Sequence, residues 1–382
     1  MCLQYESYRL DELGTVVSGA TPSTKDQDNY DGDIPWITPK DLSIQNTKYI
    51  ARGERNITKK GYESCSTTLI PKGSIIMSTR APIGYLAIAK CDLCTNQGFK
   101  SLVPNSDVVD SEYLYYALLS QIDSIKEMGS GTTFPEISKK VFGSITVNLP
   151  PIQYQKETVK ILNLLDSMIL INDKINDYLV QISNALYDRY FPYSVYDDLP
   201  DGWKKTSLGQ IIEIHDSKRI PLSAKERSEL AKIYPYYGAA SITDYVNDYI
   251  FDGIYLLLGE DGTVINDDGS PVLQYVFGKF WVNNHAHILT GCKGYSVDSL
   301  FLLCQRLNIT SIVTGAVQPK ISQSNLRSLP IVQPPIDSVE SFSLVIKPLF
   351  DLFRVNSEEI KLLTKIRNQL ITELFRGSDD NK

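Results

Sequence analysis

The chain repeats itself at a fixed distance, and that repeat limits what it can fold into. Gly131-Thr132-Thr133-Phe134-Pro135-Glu136-Ile137-Ser138 is echoed by Gly315-Ala316-Val317-Gln318-Pro319-Lys320-Ile321-Ser322. Each echo is followed by an apolar segment, a Pro-Pro pair (Pro150-Pro151, Pro334-Pro335) and a long helical stretch. Pro135 and Pro319, Pro150 and Pro334, and Asn184 and Asn368 all stand 184 positions apart. A period of that length is too long for a solenoid repeat and means two copies of a whole domain plus a helix. Two similar domains on a rigid spacer are suited to gripping two separated sites on one long ligand. A polymer fits that description, and DNA is the first candidate.

The repeat sets the domain plan. Residues 1–151 read as a mixed α/β domain, with strands expected over 73–78 and 84–89 between Pro and Gly punctuation. Residues 111–125 have helical spacing, with Ser111 as the expected N-cap. A long helix is expected over 152–192, ended by Pro192. Its seam is Leu162, Leu165, Ile169, Asn172, Asn176, Leu179 and Leu186. A second stripe, Ile161, Leu164, Met168, Ile171, Ile175 and Ile182, implies burial on two sides. Leu199-Pro200-Asp201-Gly202-Trp203 opens the second domain, expected over 193–335. A closing helix over 336–377 repeats the seam with Ile346, Leu349, Phe353, Asn356, Ile360, Leu363, Leu370 and Leu374. Gly377 supplies its stop, Pro348 should kink or delay it, and 378–382 should be a disordered tail. Asn172 and Asn356 occupy equivalent seam positions, where a buried Asn pins register. The fold expected is α/β (mixed α+β): two similar globular domains separated by two long antiparallel helices in a coiled-coil-like spacer. A helix of this length is a rod of about 55 Å, longer than a small domain is wide.

The charge, −7 overall, opposes nucleic-acid binding at first sight. Locally, Arg52, Arg55, Lys59 and Lys60 cluster in the first half, and Lys204, Lys205, Lys218 and Arg219 in the second. On charge alone these read as solvated faces. No apolar run is long enough to cross a bilayer, and the first residues lack the pattern of a signal peptide, so a cytoplasmic protein is expected. Of six cysteines, Cys91 and Cys94 form a lone C-x-x-C with no second pair to complete a zinc site.

Catalytic machinery is scarce. No G-x-x-x-x-G-K-[ST] phosphate loop is present, nor a strand–G-x-G-x-x-G–helix unit for a nucleotide cofactor. Asn148-Leu149-Pro150-Pro151 lacks the aromatic that an amino-methyltransferase motif needs. His285 and His287 would share a strand face, with no evident third metal ligand. Side chains suited to recognition are present instead, because Asn or Gln reads adenine edges and Arg or Lys reads guanine. Asn96-Gln97-Gly98-Phe99-Lys100 and Asn283-Asn284-His285-Ala286-His287 occupy comparable places in the two halves.

These residues resemble a known family. Gly19-Ala20-Thr21-Pro22-Ser23, Gly32-Asp33-Ile34-Pro35-Trp36-Ile37, Ser78-Thr79-Arg80-Ala81-Pro82-Ile83-Gly84 and Thr95-Asn96-Gln97-Gly98-Phe99 are similar to the target recognition domain of type I restriction–modification specificity subunits. The second half is similar through Tyr236-Tyr237-Gly238-Ala239, Gly259-Glu260-Asp261-Gly262 and Asn283-Asn284-His285. The resemblance implies a non-catalytic subunit that reads double-stranded DNA, one half-site per domain, with the helices setting the gap. It also implies that two methyltransferase subunits dock on the helices and that motor–nuclease subunits join. S-adenosylmethionine, ATP and Mg belong to those partners, and this chain needs no cofactor or metal of its own. The DNA-facing candidates are Thr21, Lys25, Lys40, Arg80, Asn96, Gln97, Lys100, Ser130, Thr132 and Thr133 in the first half. In the second they are Lys218, Arg219, Tyr237, Asn283, Asn284, His285, Gln318 and Lys320. The subunit-docking candidates are Ile161, Leu164, Met168, Ile171, Ile175, Leu352, Val355 and Leu362. Two competing readings are a methyltransferase or nuclease in its own right, and a structural adaptor that binds no DNA.

Overall fold

Ile75–Thr79 is buried along its whole length, so the sheet that contains it must be covered on both faces. In the computed structural model, side chains alternate between two cores as the two-residue strand period requires. Ile75 and Met77 enter one core with Ile88, Leu102, Tyr113 and Leu118. Ile76 enters the other with Ala87, Ala89 and Phe99. The structure describes residues 5–45, 47–130, 135–315 and 317–376. The chain divides into two units, Met1–Ile171 with Glu359–Lys382, and Asn172–Glu358.

In the first unit a five-stranded sheet runs in the order Gly14–Ser18, Phe99–Pro104, Ile75–Thr79, Ile83–Ala89, Tyr49–Ile50. A three-stranded sheet places Tyr30–Ile37 between Asn56–Ile57 and Cys94–Thr95. The helix expected over 111–125 is divided into Ser111–Ser120 and Ile122–Glu127. Its cap is Asp110 and not Ser111: the Asp110 carboxylate accepts from the N–H groups of Glu112 and Tyr113, each at 3.0 Å.

The second unit has a six-stranded sheet in the order Ile212–Ile214, Ala286–Gly291, Phe251–Gly259, Leu273–Val282, Tyr234–Tyr237, Ile242–Val246. The same two-sided logic holds, with Leu256, Leu258 and Leu289 in one core and Leu257, Val276 and Ile288 in the other. Each unit also ties its entry strand to the strand before the long helix. Glu6 lies opposite Leu149 and Lys204 opposite Gln333, two pairs at equivalent places in the repeat.

The central helix spans Ile152–Tyr190 and the closing helix Ile336–Arg376. The closing helix runs without interruption across Pro348 and starts directly after the Pro-Pro pair, so the proline does not delay it. Gly377 and the 378–382 tail lie outside the described residues.

Both helices contribute to both units, and within each unit they pack antiparallel. In the first unit Asp166 meets Arg367 at 3.0 Å. In the second, Asn356 donates from Nδ2 to Asn176 Oδ1 at 3.1 Å, and Asn176 donates to Ser357 Oγ at 3.0 Å. The buried partner of Asn356 is therefore Asn176, and Asn172, which shares the repeat position of Asn356, is only half-buried. An antiparallel pair brings together residues related by reversal of direction, not residues at equal repeat positions.

Candidate DNA-reading edges

The repeat in sequence becomes a repeat of backbone hydrogen bonds. In the first unit the Thr79 N–H donates to Gly98 O at 2.7 Å, and the Ile137 N–H donates to Thr79 O at 3.0 Å. In the second, the Glu260 N–H donates to His285 O at 2.8 Å, and the Ile321 N–H donates to Glu260 O at 2.8 Å. Asn96 Oδ1 accepts from the Gly98 N–H, and Asn283 Oδ1 from the His285 N–H, both at 2.8 Å. The bridges Ser130–Glu136 and Thr314–Lys320 close the same loop in each unit. Asn96 and Asn283 thus shape turns with their side chains, as Asn does in turns generally.

These bonds define equivalent positions: Arg80 with Asp261, Gln97 with Asn284, Lys100 with His287, and Glu136 with Lys320. The frame is shared and the charges are not. Arg80 approaches Glu136 at 3.9 Å in the first unit, and Lys100, almost fully buried, reaches the same carboxylate at 3.5 Å. In the second unit Lys320 approaches Glu260 at 3.6 Å, and His285 Nδ1 pairs with Asp261. At two equivalent positions, 80/261 and 136/320, the sign of the charge is reversed.

A more deeply buried network stands behind the second edge. Arg219 donates to Glu260 at 2.6 Å and to Ala286 O at 2.8 Å, and lies 3.5 Å from Asp216. His287 is fully buried, with Nδ1 at 2.6 Å from Asp216 and Nε2 donating to Ile321 O at 2.9 Å. Burial works to raise the Asp216 pKa. His287, the Ile288 N–H and the nearby Arg219 outweigh it and hold the carboxyl below its usual value. Asp216, Glu260 and His287 bring ligand atoms within 4.8 Å of one another, a triple the sequence reading lacked. Arg219 and Lys320 already lie on these carboxylates, so this cluster is a neutralised network.

The remaining candidates divide by environment. Lys25, Gln97, Lys218, Asn284 and Gln318 are exposed, although Gln97 accepts a hydrogen bond from Thr21. Exposed Lys40 pairs with Glu54 at 2.6 Å, and Ser130 sits on its bridge to Glu136. Tyr237 is half-buried, edge-on to Phe280, and burial pushes its phenol up to about 12. Lys100, Arg219 and Asn283 are committed to partners inside the fold. Thr132 and Thr133 lie outside the described residues. Of the C-x-x-C pair, Cys94 is a buried free thiol whose pKa burial pushes up to about 11.

The two helix stripes separate cleanly. On the seam, Leu162 is 0% and Leu179 8% exposed. On the second stripe, Ile161 is 57%, Leu164 62% and Ile171 56% exposed, and Met168 and Ile175 are open too. Leu352, Val355 and Leu362 of the closing helix are likewise exposed, as is Leu374, which the seam had been expected to hide. Isolated exposed apolar residues are ordinary, but a row along a helix is a candidate interaction face. Among the described residues no helix is long and apolar enough to cross a membrane.

Comparison with known proteins agrees with this geometry. Residues 3–181 and again 200–365 match the family described as "Type I restriction modification DNA specificity domain". The chain is 32% identical over 403 aligned residues to the type I restriction enzyme MjaIX specificity subunit of Methanocaldococcus jannaschii, covering 97% of this chain and 92% of that one. It is 24% identical to the EcoprrI specificity subunit of Escherichia coli, with 96% and 92% covered. The fold is shared with a crystal structure of a type I restriction-modification S subunit from M. genitalium, at a TM-score of 0.58, 16% identity, and 98% and 96% coverage. The chain belongs to the type I restriction modification DNA specificity domain family and carries that domain in both of its halves.

Proposed function

We infer that this chain is the sequence-reading subunit of a type I restriction–modification assembly, with each half reading one part of a bipartite double-stranded target. One observation carries the reading: a single backbone frame is built twice around side chains of opposite charge. A frame that must approach the same duplex twice has reason to be conserved in shape. The groups it presents have reason to differ if the half-sites differ, because donors and acceptors on base edges must be matched by their complements.

In this reading Arg80, Gln97 and the loop around residues 130–136 face the first half-site. Asp261, Asn284, His285, Lys218 and Gln318 face the second, and Lys25 contacts phosphate. Lys100, Arg219 and Asn283 hold these groups in place. Residues 1–151 and 193–335 act as the two readers, and the helices set the gap between half-sites. The exposed stripes receive two methyltransferase subunits, which burial of a continuous apolar row would stabilise, and motor–nuclease subunits join that core. The chain itself catalyses nothing, and the S-adenosylmethionine, ATP and Mg chemistry resides in the partners.

A gel-shift assay with the modification subunit tests this reading. A sequence-dependent shift is expected, with no methyl transfer from S-adenosylmethionine by this chain alone. Methyl transfer or cleavage by the purified chain would overturn the non-catalytic assignment, and partner binding without any DNA shift would favour the adaptor.

A further inference from the structure

The first unit joins its globular domain to both long helices through one partly buried carboxylate. Asp166, on the central helix, accepts from the Tyr116 hydroxyl at 2.5 Å, lies 3.4 Å from Lys48 Nζ and pairs with Arg367 of the closing helix at 3.0 Å. Lys48 is 7% exposed, donates to the Tyr116 hydroxyl oxygen at 2.9 Å and lies over its ring. Asn163, one turn before Asp166, accepts from Lys48 and donates to Glu112. The second unit uses other residues at this place: Phe350, the repeat equivalent of Asp166, packs on Tyr275 and Phe301, and Arg354 of the closing helix bonds to Tyr275 and lies 3.1 Å from Asp298.

A partly buried ionic network contributes little net stability, since desolvation and solvent screening offset much of the attraction. Its effect is geometric: each charge-assisted bond holds a narrow range of distance and angle. We propose that Lys48, Tyr116, Asp166 and Arg367 are positioning residues that fix the angle of the first domain on the helices and thereby restrict the gap the protein accepts between half-sites. This rests on the bipartite reading above. One extra base pair displaces a half-site by about 3.4 Å and rotates it by about 35°. A domain held by four groups joined through Asp166 rejects that displacement, and a domain free to rock accepts it.

The test maps methylated adenines in host DNA carrying the full complex. The triple variant Lys48→Met, Asp166→Leu, Arg367→Met keeps the site filled and removes its charges together. Both half-site sequences should stay unchanged, while sites with gaps one base pair longer or shorter become modified at least tenfold above the parent. Tyr116→Phe, which keeps the ring, should show the same broadening to a smaller degree and serves if the triple variant does not fold. Ile145→Val, a core change away from the network, should keep a single gap and so separates positioning from general loosening. A single gap in a folded, active triple variant or, failing that, in Tyr116→Phe would overturn the proposal. Broadening in Ile145→Val would do so as well. A parent complex that modifies an undivided motif would instead overturn the bipartite reading.

Discussion

The Asn176–Asn356 pair gives a sharp energetic prediction. Both side chains lie inside the helix pair, at 7% and 6% exposure, and are joined at 3.1 Å. Asn356→Ala removes the donor to Asn176 Oδ1 and leaves that oxygen buried without it. Leaving a buried polar group unsatisfied costs about 1–3 kcal/mol. A loss of about 2 kcal/mol lowers the melting temperature of a unit this size by about 4–8 °C. The double change Asn176→Leu with Asn356→Leu removes both partners at once and fills the space with apolar atoms. Replacing both members of a hydrogen-bonded pair by apolar groups is close to neutral, so the double variant should recover most of the loss. Calorimetric melts of the parent, both single Leu variants and the double variant close the cycle that isolates the coupling. The reasoning fails if Asn356→Ala melts with the parent, or if the double variant melts below both single variants.

Three further outcomes follow from the same geometry. Leu164→Glu with Ile171→Glu puts charge on the exposed stripe. It should leave the chain's own melting curve unchanged while weakening capture of the methyltransferase subunit at least tenfold by titration calorimetry. Arg80→Ala should relax base preference at one position of the first half-site, worth about 1–3 kcal/mol of discrimination, with the second half-site unchanged in a methylation map. Asp216, whose folded pKa is depressed, should contribute to acid sensitivity. Such a group contributes its full stability above the ordinary carboxylate value near 3.9 and loses it as pH falls through the lower folded value. Melting temperatures from pH 6 to 3 should therefore fall more steeply for the parent than for Asp216→Asn.

The parts of this architecture that depend on period and repetition were legible in the chain. The 184-residue repeat located the second domain, and the heptad seam separated Leu162 and Leu179, which are buried, from Ile161 and Leu164, which are not. What depends on distant partners was not legible. Lys100 and Arg219 looked like free cations because their carboxylates lie 36 and 41 positions away. Composition cannot distinguish a cation facing solvent from one neutralised across a sheet. The cap at Asp110 was missed because Ser111 and Asp110 are both good N-caps and only the backbone angle decides between them. The Asn176 pairing required the relative stagger of the two helices, which no single helix encodes.

The most direct test of two readers in one chain is a methylation map made before and after exchange of one reader. Residues 1–151 would be replaced by the corresponding domain of another family member, and modified adenines mapped in DNA from the host. Two unlike half-sites at a fixed gap are expected from the parent, with only one half-site altered by the exchange and the gap retained. An undivided target, or a change in both half-sites together, would contradict the account.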